Sequence, residues 1–177
     1  MFFKKDLGKE KGERLAVNLA QHSFTGSTFQ GYPYSFQDAQ ALGIDLSCDV
    51  VVCGVDNGKT RVEVSSYYRS LNIPVVFIAL DWVGESGYCF VQAPEEACFG
   101  CKFPNTMSEK KAPCRTPASV DIVLSTCAFA TYAVDSLIMS RKRNWNYREV
   151  HLAGFMDDCS IKIAKSDNCS LCGNPNG

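Results

Sequence analysis

Two pairs of cysteines have the spacing of metal ligands. The first pair is Cys98 and Cys101, the second is Cys169 and Cys172, and each has the pattern C-x-x-C. Such a turn lets two thiolates reach one metal ion, and two turns supply the four sulfur ligands of a closed tetrahedral zinc site. We therefore predict a structural zinc ion at these four cysteines. It would fasten the C-terminal tail to the rest of the chain.

Two other interpretations of the cysteine pairs are open. One pair could form a thioredoxin-like redox motif, although we expect neither pair to open a helix after a strand. All four cysteines could instead be unliganded thiols of the core. If zinc is bound, cysteine fills all four positions and none is left for a substrate, so the ion would be structural rather than catalytic.

Asp56 follows an apolar run, residues 49–55, that suits a strand buried on both faces. Ligands of open α/β sheets bind beyond the carboxyl ends of strands, which is where Asp56 falls. Asp56-Asn57-Gly58 is also a strong turn signal, so a purely structural turn is the alternative to a functional site.

The elements that position these residues follow from the apolar patterns, which predict one domain over residues 1–177. Helices are expected at 6–23, 36–42, 60–71 and 118–141, a polar loop at 102–117, and strands within 24–34 and at 49–55, 75–80, 84–93, 149–155 and 160–164. The strand–helix–strand order of residues 49–80 indicates a parallel crossover unit. The last two strands alternate like an antiparallel pair.

Composition is that of an ordinary globular protein, with 46% hydrophobic residues and a net charge of -1. The charge gives no argument for nucleic acid or an anionic membrane. No apolar run approaches the roughly 18 residues of a membrane span, and no secretory signal is recognisable, so we expect a cytoplasmic protein. Disulfides are rare in that compartment, and Cys48, Cys53 and Cys127 are therefore expected in the core.

Three features together resemble the ThiF/MoeB/HesA family, relatives of the ubiquitin-activating enzymes. The first is the strand that ends in Cys53-Gly54-Val55-Asp56-Asn57, with Thr60-Arg61 in the following helix; the others are the two cysteine turns and the segment Asp6-Leu7-Gly8-Lys9-Glu10-Lys11. The resemblance covers nearly the whole chain. It implies an α/β fold, a partial Rossmann-like parallel sheet with an added antiparallel sheet and a four-cysteine zinc site.

The resemblance also implies a reaction: ATP- and Mg²⁺-dependent adenylation of the C-terminal carboxylate of a ubiquitin-like or sulfur-carrier protein, by a homodimer. Asp56 matches the family aspartate that handles Mg²⁺ and phosphate, Lys11 matches a lysine that contacts the triphosphate, and Asn57 and Arg61 match nearby positions of the pocket. A lysine and a metal can offset the negative charge that builds on phosphorus. Cys114 matches a loop cysteine that some members use for thioester or persulfide chemistry, and a bystander thiol is the alternative.

Several family elements have no counterpart in this sequence. They are the first strand with its Gly-x-Gly-x-x-Gly loop, whose amides cradle ATP phosphates, an acidic residue after the second strand, and an arginine and a glutamine or asparagine near the phosphates. We therefore expect an adenylating domain truncated at its N-terminus, inactive as an isolated chain. It could be a fragment, a truncated gene product or one half of a site that a second chain completes. The alternative functions are a non-catalytic, zinc-stabilised protein-binding module and a rhodanese-like activity that uses Cys114.

Overall fold

The computed structural model describes residues 2–106, 118–154 and 156–173. The chain divides into two compact units, Met1–Leu46 and Ser47–Gly177. In the first unit, a 3-10 turn at Lys4–Asp6 precedes helices α1 (Lys11–His22) and α2 (Phe36–Ala41). The prediction of α2 is confirmed.

The first predicted helix, 6–23, is wrong at its start, because α1 begins only at Lys11. Asp6 gives the physical reason. Its carboxylate accepts hydrogen bonds from the backbone N–H of Phe3 (2.8 Å), from Arg14 Nε (2.8 Å) and from Asn18 Nδ2 (2.9 Å). These bonds close a separate turn ahead of α1. The strand expected within 24–34 is also wrong, because these residues form neither helix nor strand.

The second unit is built on one sheet of five strands in the order β1 (Val51–Cys53), β2 (Val75–Leu80), β3 (Ser86–Gln92), β4 (Tyr147–His151) and β5 (Cys159–Ile161). β1 and β2 are parallel and are connected by α3 (Gly58–Ser70), and the other neighbours are antiparallel. The α/β class, the crossover unit and the final antiparallel pair are confirmed. The two predicted sheets are parts of one mixed sheet.

One face of this sheet packs against the long helix α5 (Val120–Ile138). Val76, Cys89 and Val91 of the strands form a buried cluster with Ala130 and Ala133 of the helix. Among the described residues, α5 alone has the length and apolar composition of a membrane span, a test that the core helix of a soluble protein also passes. It packs against three strands, β2, β3 and β4, and several of its apolar side chains, such as Leu124 and Ile138, remain exposed.

The opposite face carries an aromatic core that includes a short helix, α4 (Phe99–Lys102). The ring of Phe99 lies 4.6 Å from that of Phe77 and 4.7 Å from that of Phe103, centroid to centroid. Phe77 pairs with Phe90 across β2 and β3. The residue that follows Cys98 is therefore buried in the hydrophobic core, which fixes the first cysteine turn to the sheet.

The predicted core cysteines divide into two groups. Cys53 is buried, as expected, and burial raises the pKa of its thiol. Cys48 and Cys127 are exposed, so the prediction is wrong for them. Cys127 lies on α5 directly after the buried Thr126, but its own side chain is exposed. Cys48 precedes β1 in a segment outside the strands.

Candidate functional site

The structure brings the four predicted ligands together. The sulfur atoms of Cys98, Cys101, Cys169 and Cys172 all lie within 4.8 Å of one another. Cys98 Sγ is 3.5 Å from Cys169 Sγ, Cys101 Sγ is 3.4 Å from Cys172 Sγ, and the two sulfurs of the first turn are 3.8 Å apart. Zinc–sulfur bonds of about 2.3 Å place tetrahedral sulfurs about 3.8 Å apart. The donor set therefore fits a tetrahedral metal ion such as zinc.

The first cysteine turn differs from its predicted local structure, because Cys98 is the N-cap of α4 and thus does open a helix. The N–H of Cys101 donates to the carbonyl of Cys98 over 3.0 Å, which closes the turn. In the second turn, the N–H of Gly173 donates to the carbonyl of Cys169 over 2.7 Å. Ser166 N–H donates to Cys101 Sγ over 3.4 Å, so the tail also contacts the sulfur of the other turn.

Gly100 is the residue that lets the two turns approach. A Cβ atom at this position would lie 2.8 Å from Cδ1 of Leu171 and 3.2 Å from the sulfur of Cys169. The first of these contacts is shorter than real Cβ atoms make. A larger residue here would force the side chain of Leu171 to shift, so glycine suits the close approach between the turns.

Burial and backbone amides act in opposite directions on the thiols of the cluster. Burial raises the pKa of Cys98 and of Cys172. At Cys169 burial also acts to raise the pKa, but hydrogen bonds from the backbone N–H groups of Leu171 and Cys172 lead to a net decrease to about 7. Backbone amides aimed at sulfur favour the thiolate, the form that binds metal.

A buried amide that the sequence analysis did not single out supports the first turn. Gln92, at the end of β3, accepts hydrogen bonds from Ser65 Oγ (2.6 Å) and from the backbone N–H of Phe99 (3.0 Å), and its own Nε2 donates to the carbonyl of Ser65 (2.9 Å). Its side chain is 1% exposed. A lone polar residue at the end of an otherwise apolar strand was the only signal that could have marked it.

The second predicted site lies at the carboxyl ends of β1 and β2. Asp56 follows β1 and is exposed, and among the residues that the structure describes its carboxylate has no hydrogen-bond or ion-pair partner. Asn57 is the N-cap of α3, where its Oδ1 accepts hydrogen bonds from the N–H groups of Lys59 (2.9 Å) and Thr60 (3.4 Å). Its amide oxygen is thus engaged in capping, and the N-terminus of α3 lies beside Asp56.

Arg61 is held at the same edge by two hydrogen bonds. Its Nε donates to the carbonyl of Val55 over 2.8 Å and its NH1 donates to the hydroxyl of Tyr88 over 3.0 Å. The side chain therefore ties α3 to the end of β1 and to β3. Tyr88 is a second residue that the sequence analysis missed.

Two further features lie at this edge of the sheet. An apolar pocket of about 190 Å³ includes Gly54 of the β1 end, Leu80 of β2 and the exposed Cys127 of α5. On the other side, Thr106 packs so closely on Gly58 that a Cβ atom at residue 58 would lie 2.9 Å from the Thr106 carbonyl oxygen. The edge therefore offers polar groups, a helix N-terminus and a small apolar pocket.

The two remaining predicted site residues are Cys114 and Lys11. Cys114 lies within 107–117, outside the described residues. The residues on either side of that range are described: Thr106 packs on Gly58, and the backbone of Ala118 packs on Gly84 in the turn after β2. Lys11 is the exposed first residue of α1 and belongs to the N-terminal unit.

Comparison with known proteins gives a family and a fold. The family model described as "ThiF family" matches residues 1–171, whereas no curated protein sequence matches the chain. The crystal structure of E. coli MccB with ATP has a TM-score of 0.75 at 17% identity, covering 97% of this chain and 53% of MccB.

Two further structures extend the comparison. The microcin C7 biosynthetic enzyme MccB in complex with N-formylated MccA has a TM-score of 0.75 at 16% identity, covering 97% of this chain and 54% of that one. A heterocyclase in complex with substrate and cofactor has a TM-score of 0.54 at 12% identity, covering 75% and 21%. These likenesses show the fold, and the chain spans about half the length of the MccB structures it matches.

Proposed function

Because the chain belongs to the ThiF family, we propose that it forms part of an ATP-dependent enzyme that adenylates the C-terminal carboxylate of a ubiquitin-like or sulfur-carrier protein. The observation that carries the proposal is the exposed carboxylate of Asp56 at the carboxyl end of β1, beside the N-terminus of α3. This is where nucleotides bind open α/β sheets. Helix N-termini also favour anions such as phosphate.

In the proposed reaction a carboxylate oxygen of the carrier attacks the α-phosphorus of ATP. The new oxygen–phosphorus bond forms as the bond to pyrophosphate breaks, which yields an acyl-adenylate and pyrophosphate. Asp56 supplies the carboxylate that would hold Mg²⁺, and the metal offsets negative charge on the phosphates. Arg61 adds a fixed positive charge at the same edge, and Lys11 is proposed to contact the triphosphate.

Asn57 acts in this proposal by holding α3 in place. Its side-chain oxygen caps the backbone N–H groups of Lys59 and Thr60, which fixes the direction of the helix N-terminus. The resemblance to the family implied a place for Asn57 in the pocket itself. The observed capping supports a role for Asn57 in positioning α3.

The remaining parts of the proposal concern cofactors and partners. Zinc at Cys98, Cys101, Cys169 and Cys172 is proposed as a structural ion, since cysteine fills all four positions. Structures of MccB include one with AMPCPP together with MccA, which supports the proposal that this chain takes part in binding a nucleotide and a second partner. We also propose that the chain is a single adenylating domain over 1–177 that forms a homodimer in the cytoplasm. Cys114 is proposed to form a thioester or a persulfide.

Exchange of radiolabelled pyrophosphate into ATP tests the proposed reaction. The zinc-loaded chain, extended by an N-terminal segment that carries a Gly-x-Gly-x-x-Gly loop, is mixed with Mg·ATP and a carrier protein that ends in Gly-Gly, and with the same carrier amidated at its C-terminus. The isolated chain, which we expect to be inactive, is measured in parallel. We expect exchange only with the free carboxylate, and its loss in Asp56→Asn. Asp49→Asn is the matched control, because Asp49 is an exposed aspartate just before β1. Carrier binding without exchange would favour the non-catalytic binding module.

A further inference from the structure

A groove on the α5 face of the sheet lies away from Asp56. α5 covers β2, β3 and part of β4, and the sheet continues to β5. The space between the helix and β5 is a cavity of about 470 Å³. Its lining comes from α5, from the segment before β4 and from the last two strands: Ala128, Phe129, Tyr132, Asn144, Trp145, Arg148 and Ser160. The size is that of a small-ligand site.

Arg148 is the only charged residue of this lining. It lies on β4 between Cys89 of β3 and Ser160 of β5, so its side chain is on the α5 face of the sheet. The carbon of its guanidinium group is 4.3 Å from the centre of the Phe129 ring. A guanidinium group placed over a ring keeps its in-plane N–H groups for other acceptors.

Those N–H groups have no acceptor within the described part of the chain. The side chain of Arg148 makes no hydrogen bond and no ion pair there, although the residue is half-buried. Another half-buried arginine of the same unit shows the contrast: Arg143 contacts Glu96 (3.5 Å) and Ser136 (3.0 Å). A guanidinium group carries several donors in a fixed planar arrangement, so those of Arg148 are available to a ligand that enters the groove.

The other groups of the lining suit a ligand with a planar anionic end. Trp145 and Tyr132 stack with their ring centres 6.3 Å apart and form an aromatic wall. Asn144 and Ser160 add an amide and a hydroxyl, and the lining contains no carboxylate. One cation with a planar fork matches a carboxylate, which is planar and carries a single negative charge.

We propose that this groove binds a carboxylate group of a polypeptide ligand, through Arg148 and against the rings of Tyr132 and Trp145. β5 is the last strand of the sheet, and an extended polypeptide can align with such an edge. The site is distinct from the proposed nucleotide edge and goes beyond adenylation. Neither proposal depends on the other.

NMR titration tests this site with defined probes. The zinc-loaded protein is titrated with acetyl-Gly-Glu-Gly-amide, with its Gln counterpart and with inorganic phosphate, and the side-chain N–H signals of Arg148 and Trp145 are followed. We expect saturable shifts with the Glu peptide, and binding about tenfold weaker or more with the Gln peptide and in Arg148→Gln. Arg141→Gln, at an exposed arginine, should bind like the wild type.

A conservative variant and a stability measurement complete the experiment. Arg148→Lys keeps the charge without the planar fork and should give intermediate affinity. Thermal unfolding of each variant separates loss of binding from loss of folding. Equal shifts with the Glu and Gln peptides, or wild-type binding in Arg148→Gln, would overturn the proposal. Tighter binding of phosphate than of the Glu peptide would overturn the choice of a carboxylate.

Discussion

Gln92 and Phe99 are joined by a hydrogen bond in the protein interior, in which the backbone N–H of Phe99 donates to Oε1 of Gln92 over 3.0 Å. Phe99 follows the metal-ligand candidate Cys98 directly. Gln92 is in turn bonded to Ser65 of α3. The first cysteine turn is therefore fixed to a strand and a helix through one side chain, in addition to the aromatic packing around Phe99.

We predict that Gln92→Leu both destabilises the protein and weakens metal retention. The substitution leaves the buried N–H of Phe99 and the hydroxyl of Ser65 without their acceptor, which should lower the free energy of unfolding by about 1 to 3 kcal/mol. Urea unfolding measures the first effect, and zinc transfer to a coloured chelator measures the second. Gln40→Leu, at an exposed position of α2, is the control. Unchanged zinc transfer in Gln92→Leu would show that the amide does not position the ligands.

Cys169→Ser should abolish zinc binding, because one of four sulfur ligands is lost. We expect the free energy of unfolding to fall by more than about 3 kcal/mol, since metal binding to such a site is coupled to folding. Elemental analysis of the purified protein gives the zinc content, and limited proteolysis should cut the released tail. Cys48→Ser removes an exposed cysteine outside the cluster and should keep full zinc content. Zinc retained in Cys169→Ser would contradict the assignment.

The sequence predicted the four-cysteine cluster because its signal is local: the spacing within each pair limits what two thiols can do. β2 was predicted with its observed bounds, Val75–Leu80, because a buried strand needs a continuous apolar run. Partners far apart in the sequence could not be predicted in this way. Nothing near Gln92 points to Phe99 or Ser65, and nothing near Arg148 shows that α5 leaves its strand partly uncovered.

The start of the first helix shows a different limit. Residues 6–10 include Gly8, a poor helix former that has a positive φ here, and the side chain of Asp6 bonds backward to Phe3 and forward to Arg14 and Asn18. Short acidic side chains compete with helical hydrogen bonding in this way. Whether Asp6 joins the helix or closes a separate turn depends on where Arg14 and Asn18 lie once α1 has formed. The sequence around Asp6 does not give those positions.

The Asp6 cluster gives a pH-dependent prediction. The hydrogen bond from the Phe3 N–H, followed by that from Asn18, lowers the pKa of Asp6 from 3.8 to about 2. A lowered pKa in the folded state means that the ionised carboxylate stabilises the protein above about pH 4 and that this contribution is lost as the pH falls toward 2. Asp6→Asn should therefore be less stable than the wild type at pH 7.

The pH series supplies its own control. The difference in stability between wild type and Asp6→Asn should shrink between about pH 4 and pH 2, as the wild-type carboxylate becomes protonated. Thermal unfolding followed by circular dichroism at each pH measures it. Asp38→Asn, at an exposed aspartate of α2, separates the effect of Asp6 from a general change in charge. A difference that stays constant down to pH 2 would contradict the role of the ionised form.

Arg61→Ala should weaken Mg·ATP binding by about tenfold, because it removes the fixed cation at the proposed nucleotide edge. Arg69→Ala is a close control. Arg69 is on the same helix and also donates to a backbone carbonyl, that of Glu96 (3.1 Å), at the opposite end of α3. Arg61→Ala removes two hydrogen bonds and Arg69→Ala removes one, so we expect losses of stability of about 2 and about 1 kcal/mol, measured by urea unfolding. Equal losses of nucleotide affinity in the two variants would mean that Arg61 acts only through folding.

The most direct test of the proposed nucleotide site is a calorimetric titration of Mg·ATP into the zinc-loaded protein, with Asp56→Asn and Asp49→Asn measured in parallel. We predict saturable, Mg²⁺-dependent binding in the wild type and in Asp49→Asn, and its loss in Asp56→Asn. Binding that is absent from the wild type, or unchanged in Asp56→Asn, would contradict a nucleotide site at the carboxyl end of β1.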